Sequence, residues 1–259
     1  ALVKAAQKEG ITGFPVHIKL DTGMHRLGFD PINDMERLIS ILKKHQNTII
    51  PRSVFSHFVG SDSDNFDDFS AQQFSLFDKA SKQLQAAFTH HILRHIDNSA
   101  GILHFPDRQL DMCRLGLGLY GINSRDNQII NNVCSLRTTI LQMHKIGCNE
   151  TVGYSRKGTV ERETVVAAIP IGYADGLDRR LGNRNCYCLV NGHKAPYLGN
   201  ICMDVAMIDV TDIPCKEGDS VEIFGDKLPV TVLSDTLGTI PYEVLTSISE
   251  RVKRVYFQD

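Results

Sequence analysis

Polar side chains, and in one place a glycine with an accessible backbone amide, recur at the ends of predicted strands in the first half of this chain. They are Lys19, Asp21, Arg26, His57, Asn98, Ser99, Arg114 and Gly116. In sheets with helical crossovers, functional groups gather at the carboxyl ends of the strands. A serine hydroxyl, backbone amides around Gly116 and a nearby arginine suit a phosphate group. This pattern predicts one common site for a phosphorylated cofactor.

Three short polar clusters interrupt the predicted strands of the second half, at residues 150–155, 169–177 and 202–204. Two of them place a tyrosine, Tyr154 or Tyr173, beside a glycine that permits a tight backbone turn. Each tyrosine taken alone is equally typical of an ordinary strand or turn. Together the clusters predict a site assembled around a small polar ligand.

A different chemistry is suggested by His17, Lys19, His57 and His95, which lie on three successive predicted strands. Histidines beside a lysine that can be carbamylated are typical of the ligands of a barrel metallohydrolase. His17 and His95 precede the strand ends, however, where interior packing is the simpler interpretation. A metallohydrolase therefore stays an alternative, and the expected site holds no metal.

Strands and helices alternate in residues 1 to about 120, which indicates a parallel sheet with helical crossovers. Strands are predicted over residues 14–20, 53–58, 91–96 and 112–116, and helices over residues 32–44 and 67–87. Asp67, Asp68 or Ser70 is the expected N-cap of the second helix. Four strands amount to half of a (β/α)8 barrel, which takes about 250 residues. A small open sheet, complete in itself, is the alternative.

Short strands separated by turn signals fill the second half and predict an all-β domain. They cover residues 136–146, 164–169, 186–190, 205–210 and 220–224. Asn191 and Gly192 form an Asn-Gly pair, a strong signal for a type I′ hairpin. A helix is expected over residues 241–249. The predicted domains are residues 1–130, which are α/β, and residues 131–259, which are rich in β-strands.

Composition and charge exclude several classes of protein. The net charge of −2 lacks the basic excess that is typical of a nucleic-acid-binding surface. No apolar run approaches the ~18 residues of a membrane-spanning helix. Seven cysteines without a paired framework favour reduced thiols, and therefore a cytoplasmic protein.

The order of short motifs along both halves resembles that of alanine racemases. The matching segments are residues 16–29, 56–58, 98–99, 114–121, 153–154, 172–176, 202–204, 242–243 and 251–256. The first segment contains Asp-Thr-Gly-Met followed by Arg-Leu-Gly. Because the motifs cover essentially the whole chain, the resemblance implies the family's fold and activity. These are a (β/α)8 barrel that binds pyridoxal 5′-phosphate (PLP), a C-terminal β domain, and interconversion of L- and D-alanine, which supplies D-alanine for peptidoglycan.

The resemblance also implies which residues bind the cofactor. They are His57, Asn98, Ser99, Arg114, Gly116, Leu117 and Tyr242. Arg114 is implied to hydrogen-bond the ring nitrogen of PLP and to keep that nitrogen unprotonated, which weakens the electron sink and limits side reactions. Ser99, Gly116 and Tyr242 are implied to bind the phosphate, with Leu117 as a further backbone donor.

Racemisation needs two bases on opposite faces of the substrate Cα. Tyr154 matches the family's tyrosine base, which the neighbouring subunit contributes, so the resemblance implies a homodimer. Arg26 and Met203 are implied to receive the alanine carboxylate, and Lys19 matches a lysine that is carbamylated in some members. The implied entry passage is lined by Asp62, Tyr173, Arg179 and Asp204.

The second base of the family, a lysine bound covalently to PLP, has no match in this chain. It lies on the first barrel strand in a Lys-Ala-Asn-Ala-Tyr-like stretch, whereas Lys4 and Lys8 lie in residues 1–9, which are typical of the later part of an amphipathic helix. We therefore expect the C-terminal portion of a racemase, inactive alone, that lacks the first part of the barrel. A non-catalytic module with a racemase-like scaffold is a further alternative.

Overall fold

The chain divides into two units, Ala1–Gln128 and Ile129–Asp259, in a computed structural model that describes residues 1–257. The first unit is α/β with parallel strands, and the second is built on antiparallel strands. Within residues 1–257, no helix combines the length and the apolar character that crossing a membrane requires.

Three parallel strands organise the first unit. They are β1 (Phe14–Lys19), β2 (Ile49–Phe55) and β3 (Leu93–His95), and the helices are α1 (Leu2–Lys8), α2 (Met35–Lys44), α3 (Asp67–Ala86) and α4 (Ser99–His104). Lys19 pairs with Phe55, and Phe55 pairs with His95, so the three strands end in one row. The segments that follow them therefore emerge along the same edge of the sheet.

Apolar side chains of β1, of Leu20 directly after it, of α2 and of α3 form one buried cluster. Its members include Val16, Ile18 and Leu20, then Met35, Leu38 and Leu42, and finally Phe77, Ala80 and Leu84. The spacing of three and four residues places each helical set on one face of its helix. Full burial of a leucine or phenylalanine side chain contributes roughly 1.5–3 kcal/mol relative to exposure. The helices predicted over residues 32–44 and 67–87 are thereby confirmed as α2 and α3.

The prediction of a fourth strand over residues 112–116 is wrong. The segment is irregular, and its amides are bound by dissimilar groups: Arg114 N donates to Asp97 O (3.1 Å), whereas Gly116 N donates to Ser99 Oγ (2.8 Å). A strand needs a ladder of backbone pairs, and here a serine side chain interrupts it.

The predicted N-caps of α3 are also wrong. Phe66 occupies the cap position, because a 3₁₀ turn, Asp64–Phe66, precedes the helix and is itself capped by Ser63. Asp67 and Asp68 lie inside the first turn of α3, where their carboxylates interact favourably with the helix dipole.

The second unit contains nine strands and two helices among the residues that the structure describes. They are β4 (Leu136–Thr139), β5 (Gln142–Ile146), β6 (Thr151–Val152), β7 (Gly158–Thr159), β8 (Thr164–Ile169), β9 (Tyr187–Val190), β10 (His193–Pro196), β11 (Ala206–Asp209), β12 (Ser220–Phe224), α5 (Val230–Leu237) and α6 (Pro241–Ser247). They form a four-stranded sheet in the order β10-β9-β12-β4, a three-stranded sheet in the order β11-β8-β5, and the pair β6-β7.

Most predicted strands of this unit are confirmed, but residues 136–146 form two strands instead of one. β4 pairs with β12 and β5 pairs with β8, so the chain passes from one sheet to another between them. Ile140 N donates to Asp219 O (3.0 Å), and Leu141 N donates to Ala168 O (2.8 Å). Sequence periodicity could not show this change of partner. The type I′ hairpin is confirmed, with φ of 50° at Asn191 and 82° at Gly192.

Candidate active site

The loop after β1 has a fixed shape because Asp21 binds its backbone. Asp21 Oδ1 accepts hydrogen bonds from Gly23 N (3.1 Å) and His25 N (2.9 Å). Gly28 has φ of 135°, and a Cβ there would lie 2.6 Å from Asp21 N, so only glycine fits this close approach. The loop holds Arg26 between these two constraints.

A buried polar network joins the ends of β1 and β2 to α3. Thr22 Oγ1 lies 2.7 Å from Ser56 Oγ, and Ser56 Oγ donates to Leu20 O (2.9 Å). Gln73 Nε2 donates to Thr22 Oγ1 (3.3 Å) and to His57 O (3.1 Å). Gln73 Oε1 accepts from the Val59 amide (3.1 Å). Gln73 is fully buried and thus connects the segments that carry Arg26 and His57.

Gln73→Leu is expected to lower the free energy of unfolding by about 2 kcal/mol, because it leaves the Val59 amide and the buried Thr22 hydroxyl without this partner. Urea denaturation measures the change. Gln72 is the exposed preceding residue of α3, and Gln72→Leu is the matched control with an expected change near zero. Equal losses in both variants would contradict the bridging role.

Arg114 lies at the centre of the row of strand ends. Its Nη2 donates to Ser56 O (2.5 Å) and to Ile96 O (2.8 Å), and lies 3.4 Å from His57 Nδ1. The guanidinium lies over the Phe55 ring, 5.2 Å from its centroid. Arg114 Nε is buried and has no hydrogen-bond partner among the described residues. This nitrogen is thus a donor that is held in place without an acceptor from residues 1–257.

The site has a positive electrostatic potential. Burial lowers the pKa of the His57 imidazole to about 4, and the positive charge of Arg114 adds to this effect. Arg26 and Lys19 act on His57 in the same direction. Burial, followed by the charges of Arg26 and Arg114, also lowers the pKa of Lys19, and Asp21 opposes this only in part. His57 is therefore neutral at physiological pH, and the positive charge of the site comes from the arginines and Lys19.

Ser99 and Asn98 follow β3 and have distinct contacts. Ser99 Oγ accepts hydrogen bonds from Gly116 N (2.8 Å) and Gly118 N (3.4 Å). Because these contacts use the oxygen as an acceptor, the hydroxyl hydrogen is available to an anion. Asn98 Oδ1 accepts from Gly101 N (2.9 Å) and caps α4, and its Nδ2 donates to Phe58 O (3.3 Å). The Asn98 side chain thus positions Ser99.

Two further predicted residues of the first unit lie close in sequence to these contacts. Leu117 is buried and begins the 3₁₀ turn Leu117–Tyr120, directly after Gly116. Asp62 is exposed and follows Ser61, whose hydroxyl donates to Asn98 Oδ1 (2.8 Å).

Tyr154 belongs to the second unit, where an unusual turn presents it. Gly153 has φ of 77°, and Ser155, the following residue, has φ of 57°. Asn200 Nδ2 donates to Tyr154 O (3.1 Å), and Asn183 Nδ2 in turn donates to Asn200 Oδ1 (3.0 Å). The backbone is therefore held, whereas the side chain is 70% exposed. This is suitable for a residue that acts on a bound ligand.

The segments that contain Tyr173 and Met203 are bound to each other. Tyr173 N donates to Cys202 O (3.0 Å), and Ala174 N donates to Met203 O (3.0 Å). Both the Tyr173 and the Met203 side chains are exposed. Residues 172–176 and 202–204 thus form a single surface of the second unit.

Arg251 fastens this surface to the C-terminal segment. Its Nε donates to Asp175 Oδ1 (2.6 Å), and its Nη2 donates to Asp204 Oδ1 (2.7 Å). Burial alone would raise the pKa of Asp175, but the hydrogen bonds from Arg251 and from Gly172 N, together with the charge of Arg251, lower it below the ordinary value. Asp204 is a predicted entry residue, and the structure places it in this ion pair.

Arg179 and Tyr242 are the remaining predicted residues. Arg179 is exposed and begins the 3₁₀ turn Arg179–Leu181. Tyr242 is the second residue of α6, is half-buried and interacts with other residues of the protein.

The structure does not assemble the residues of the metallohydrolase hypothesis into a ligand cluster. Within residues 1–257, the group of histidine, cysteine and acidic side chains that could hold a metal ion is Asp64, Asp67 and His104. None of these belongs to the predicted set. Asp64 also forms an ion pair with Arg125, which offsets its charge.

Three supporting residues were not recognised from the sequence as parts of the site: Gln73, Asn200 and Arg251. The sequence contains a pattern that could have identified Gln73. Gln73 lies four and seven residues before Phe77 and Ala80, so it shares the buried face of α3 with them. A polar residue on an apolar helical face indicates a buried hydrogen-bond network. Arg251 begins one of the matching segments, residues 251–256, but its partners and those of Asn200 are distant in sequence, so no local pattern indicated their contacts.

Comparison with known proteins identifies the fold. The family description "Alanine racemase, N-terminal domain" matches residues 1–124, and "Alanine racemase, C-terminal domain" matches residues 133–256. The alanine racemase of Bartonella henselae, solved with covalently bound pyridoxal phosphate, superposes with a TM-score of 0.83 at 32% identity, over 98% of this chain and 69% of the other. The racemase of a D-cycloserine-producing Streptomyces lavendulae superposes with a TM-score of 0.89 at 28% identity, over 99% and 69%. The fold is that of a barrel domain followed by a β-rich domain.

Curated relatives agree with the structural likeness. Alanine racemase 1 of Clostridium acetobutylicum is 37% identical and matches 100% of this chain and 68% of its own length. The alanine racemase of Clostridium novyi is 36% identical, with the same coverage of 100% and 68%. The protein belongs to the alanine racemase family, whose members are PLP-dependent isomerases.

Proposed function

We propose that this protein is part of a PLP-dependent enzyme that interconverts L-alanine and D-alanine. The observation that carries the proposal is the pair of positively charged side chains, Arg26 and Arg114, beside a neutral His57. Such a group suits a ligand with several negative charges. PLP with alanine presents a phosphate and a carboxylate, which meets this requirement.

The residues of the first unit fit PLP. Arg114 Nε is a buried donor with no acceptor within residues 1–257, as a partner for the ring nitrogen should be. The Ser99 hydroxyl hydrogen and the backbone amides of Gly116 and Leu117 would bind the phosphate, and Tyr242 would be a further phosphate ligand. When bound, PLP withdraws electrons from the substrate Cα and makes its hydrogen acidic. His57 would support Arg114, since its Nδ1 lies 3.4 Å from Arg114 Nη2.

Arg114 would limit this electron withdrawal. Burial lowers its pKa from the ordinary value, but an arginine stays protonated and can only donate hydrogen bonds. The ring nitrogen would therefore stay unprotonated, which restricts side reactions. Asn98 would act through Ser99, because its side chain caps α4.

The substrate carboxylate would be received by Arg26 and by the Met203 amide. The lowered pKa of Lys19 increases the fraction of neutral amine, which is the form that reacts with CO₂ to give a carbamate. A carbamate on Lys19 would place a negative charge beside Arg26 and orient it. Asp62, Tyr173, Arg179 and Asp204 would line the entry passage.

Tyr154 would be one of the two proton-transfer bases, acting in a homodimer from the neighbouring subunit. The exposed side chain on a fixed backbone supports this role. The opposite base would be a lysine, and no segment of the 259 residues resembles the family's lysine-containing stretch. The match covers 68% of the length of the Clostridium acetobutylicum relative, so that relative contains further residues outside the matched region. We propose that the lysine belongs to a corresponding segment outside these residues, and that this chain alone is inactive.

In the cell, the assembled cytoplasmic enzyme would supply D-alanine for peptidoglycan. Two measurements test the function. PLP added to the purified chain is expected to bind, with inorganic phosphate as a competitor. D-alanine should form only after the lysine-containing segment of the Clostridium acetobutylicum relative is added. Zinc binding without PLP binding would favour the metallohydrolase, and PLP binding without any D-alanine would favour a non-catalytic module.

Ser99→Ala is expected to weaken PLP binding by about tenfold to a hundredfold, since a hydrogen bond to a charged group contributes roughly 1.5–3 kcal/mol. Isothermal titration calorimetry measures the affinity. Ser75 is an exposed residue of α3, and Ser75→Ala serves as the control with unchanged affinity. An unchanged affinity in Ser99→Ala would refute the assignment of this phosphate ligand.

A further inference from the structure

Asp97 is a buried carboxyl group that none of these roles uses. It directly precedes Asn98 and Ser99, and its exposure is 0%. Neither Oδ1 nor Oδ2 has a hydrogen-bond partner within the described part of the chain. A buried carboxylate without partners is strongly disfavoured, so such a group tends to take up a proton.

The surroundings of Asp97 connect it to the proposed phosphate ligands. Arg114 N donates to Asp97 O (3.1 Å), and two residues further along each segment Gly116 N donates to Ser99 Oγ (2.8 Å). A Cβ on Gly101 would lie 2.8 Å from Asp97 Oδ1, so the carboxyl group packs against α4. Asp97 thus lies directly behind the segments that present Ser99 and Gly116.

Among the described residues, two arginines and a cysteine are the charged or titratable groups that act on Asp97. Arg108 Nη1 and Arg114 Nε are buried and, like the carboxyl oxygens, have no partner in residues 1–257. The Arg108 guanidinium lies over the Phe105 ring, 4.3 Å from its centroid, which holds it in place. Burial raises the pKa of the Cys113 thiol, and the negative charge of Asp97 raises it further.

We propose that Asp97 is a positioning residue for the cofactor, acting through its charge on the phosphate ligands and on Arg114. As a neutral acid, it leaves the positive charge of the arginines available to the bound phosphate. As a carboxylate, it offsets that charge and repels the phosphate. This inference rests on the proposed function, because it takes the phosphate of PLP as the ligand.

The affinity for PLP should depend on pH, because proton binding at Asp97 and phosphate binding influence each other. Burial raises the pKa of Asp97 to about 7, although Arg108 and Arg114 oppose the rise. The carboxyl group is therefore neutral below about pH 7 and ionised above it. A bound phosphate should raise this pKa further, and by reciprocity the affinity for PLP should fall as the pH rises through this range.

The test compares the wild-type chain with Asp97→Asn, which has nearly the same shape and stays neutral. Calorimetric titrations with PLP are made on both proteins between about pH 5.5 and 8.5. The ratio of the wild-type affinity to the variant affinity should fall by about tenfold as the pH rises across this range. The phosphate has its own ionisation near pH 6, but this is common to both proteins. Asp107→Asn, which removes an exposed carboxylate next to Arg108, should behave as the wild type does.

A second measurement needs no variant. The ¹³C resonance of the Asp97 carboxyl carbon in the wild type should titrate near neutral pH, and its midpoint should rise when PLP is bound. If PLP binds but both proteins show the same pH dependence, or the midpoint does not move, Asp97 has no such role and the proposed function stands. If PLP binds neither protein at any pH, the proposed function fails and this inference fails with it. If Asp97→Asn does not fold, the carboxyl titration alone decides.

Discussion

Tyr154→Phe is expected to lower the rate of alanine racemisation by about 10²- to 10⁴-fold, the usual contribution of a positioned acid or base. The assay uses this chain completed by the lysine-containing segment of the Clostridium acetobutylicum relative. The variant keeps the aromatic ring and loses only the hydroxyl group. Because Asn200 binds the backbone oxygen of residue 154, the turn itself should be unchanged.

Exchange of the alanine Cα hydrogen with solvent distinguishes a catalytic base from a residue that only supports the structure. If Tyr154 serves one face of Cα, the variant should still exchange the Cα hydrogen of one alanine enantiomer for solvent deuterium, but should not form the other enantiomer. Tyr187→Phe is the control, since Tyr187 lies on β9 with Lys194 Nζ 4.5 Å from its ring centroid. Loss of exchange for both enantiomers, or a similar loss in the control, would argue against a one-face role.

Gly172→Ala is expected to lower the free energy of unfolding by about 3 kcal/mol or more, the upper range for overpacking. A Cβ on Gly172 would lie 2.3 Å from Met203 O and 2.4 Å from Cys202 O. Both atoms belong to the backbone, so residues 202–204 would have to move away from residues 172–176. The hydrogen bonds that join Tyr173 and Ala174 to this segment would be lost with that movement.

Because alanine can adopt the backbone conformation of Gly172, the Gly172→Ala variant tests only the close contact with residues 202–204. Gly172 has φ of −143°, an extended value that alanine adopts without strain. Gly218 has φ of 88°, and a Cβ added there would meet no atom within 4 Å, so Gly218→Ala reports the cost of strain without contact, about 1–2 kcal/mol. Differential scanning calorimetry of both variants measures the two costs. A smaller loss in Gly172→Ala than in Gly218→Ala would contradict the close packing of the two segments.

The local sequence determined the elements whose signals are local. The apolar spacing in α2 and α3 and the Asn191-Gly192 turn predicted the observed elements correctly, as did most of the short strands after about residue 130. The order of the motifs along the chain also indicated the family. Periodicity and turn chemistry act over a few residues, so they can be recognised in the sequence itself.

Tertiary structure decided what depends on distant partners. It divided residues 136–146 between two sheets, because Ile140 N and Leu141 N bind acceptors at different sheets. It left residues 112–116 without a ladder, because Arg114 N binds a backbone oxygen and Gly116 N binds a side chain. It also placed Gln73 between two strand ends and removed Asp97 from water with no partner for either oxygen among residues 1–257. Burial and long-range hydrogen bonds depend on which segments meet, and no short stretch of sequence contains that information. The candidate residues of the proposed site could thus be named from the sequence, whereas their charges and contacts required the fold.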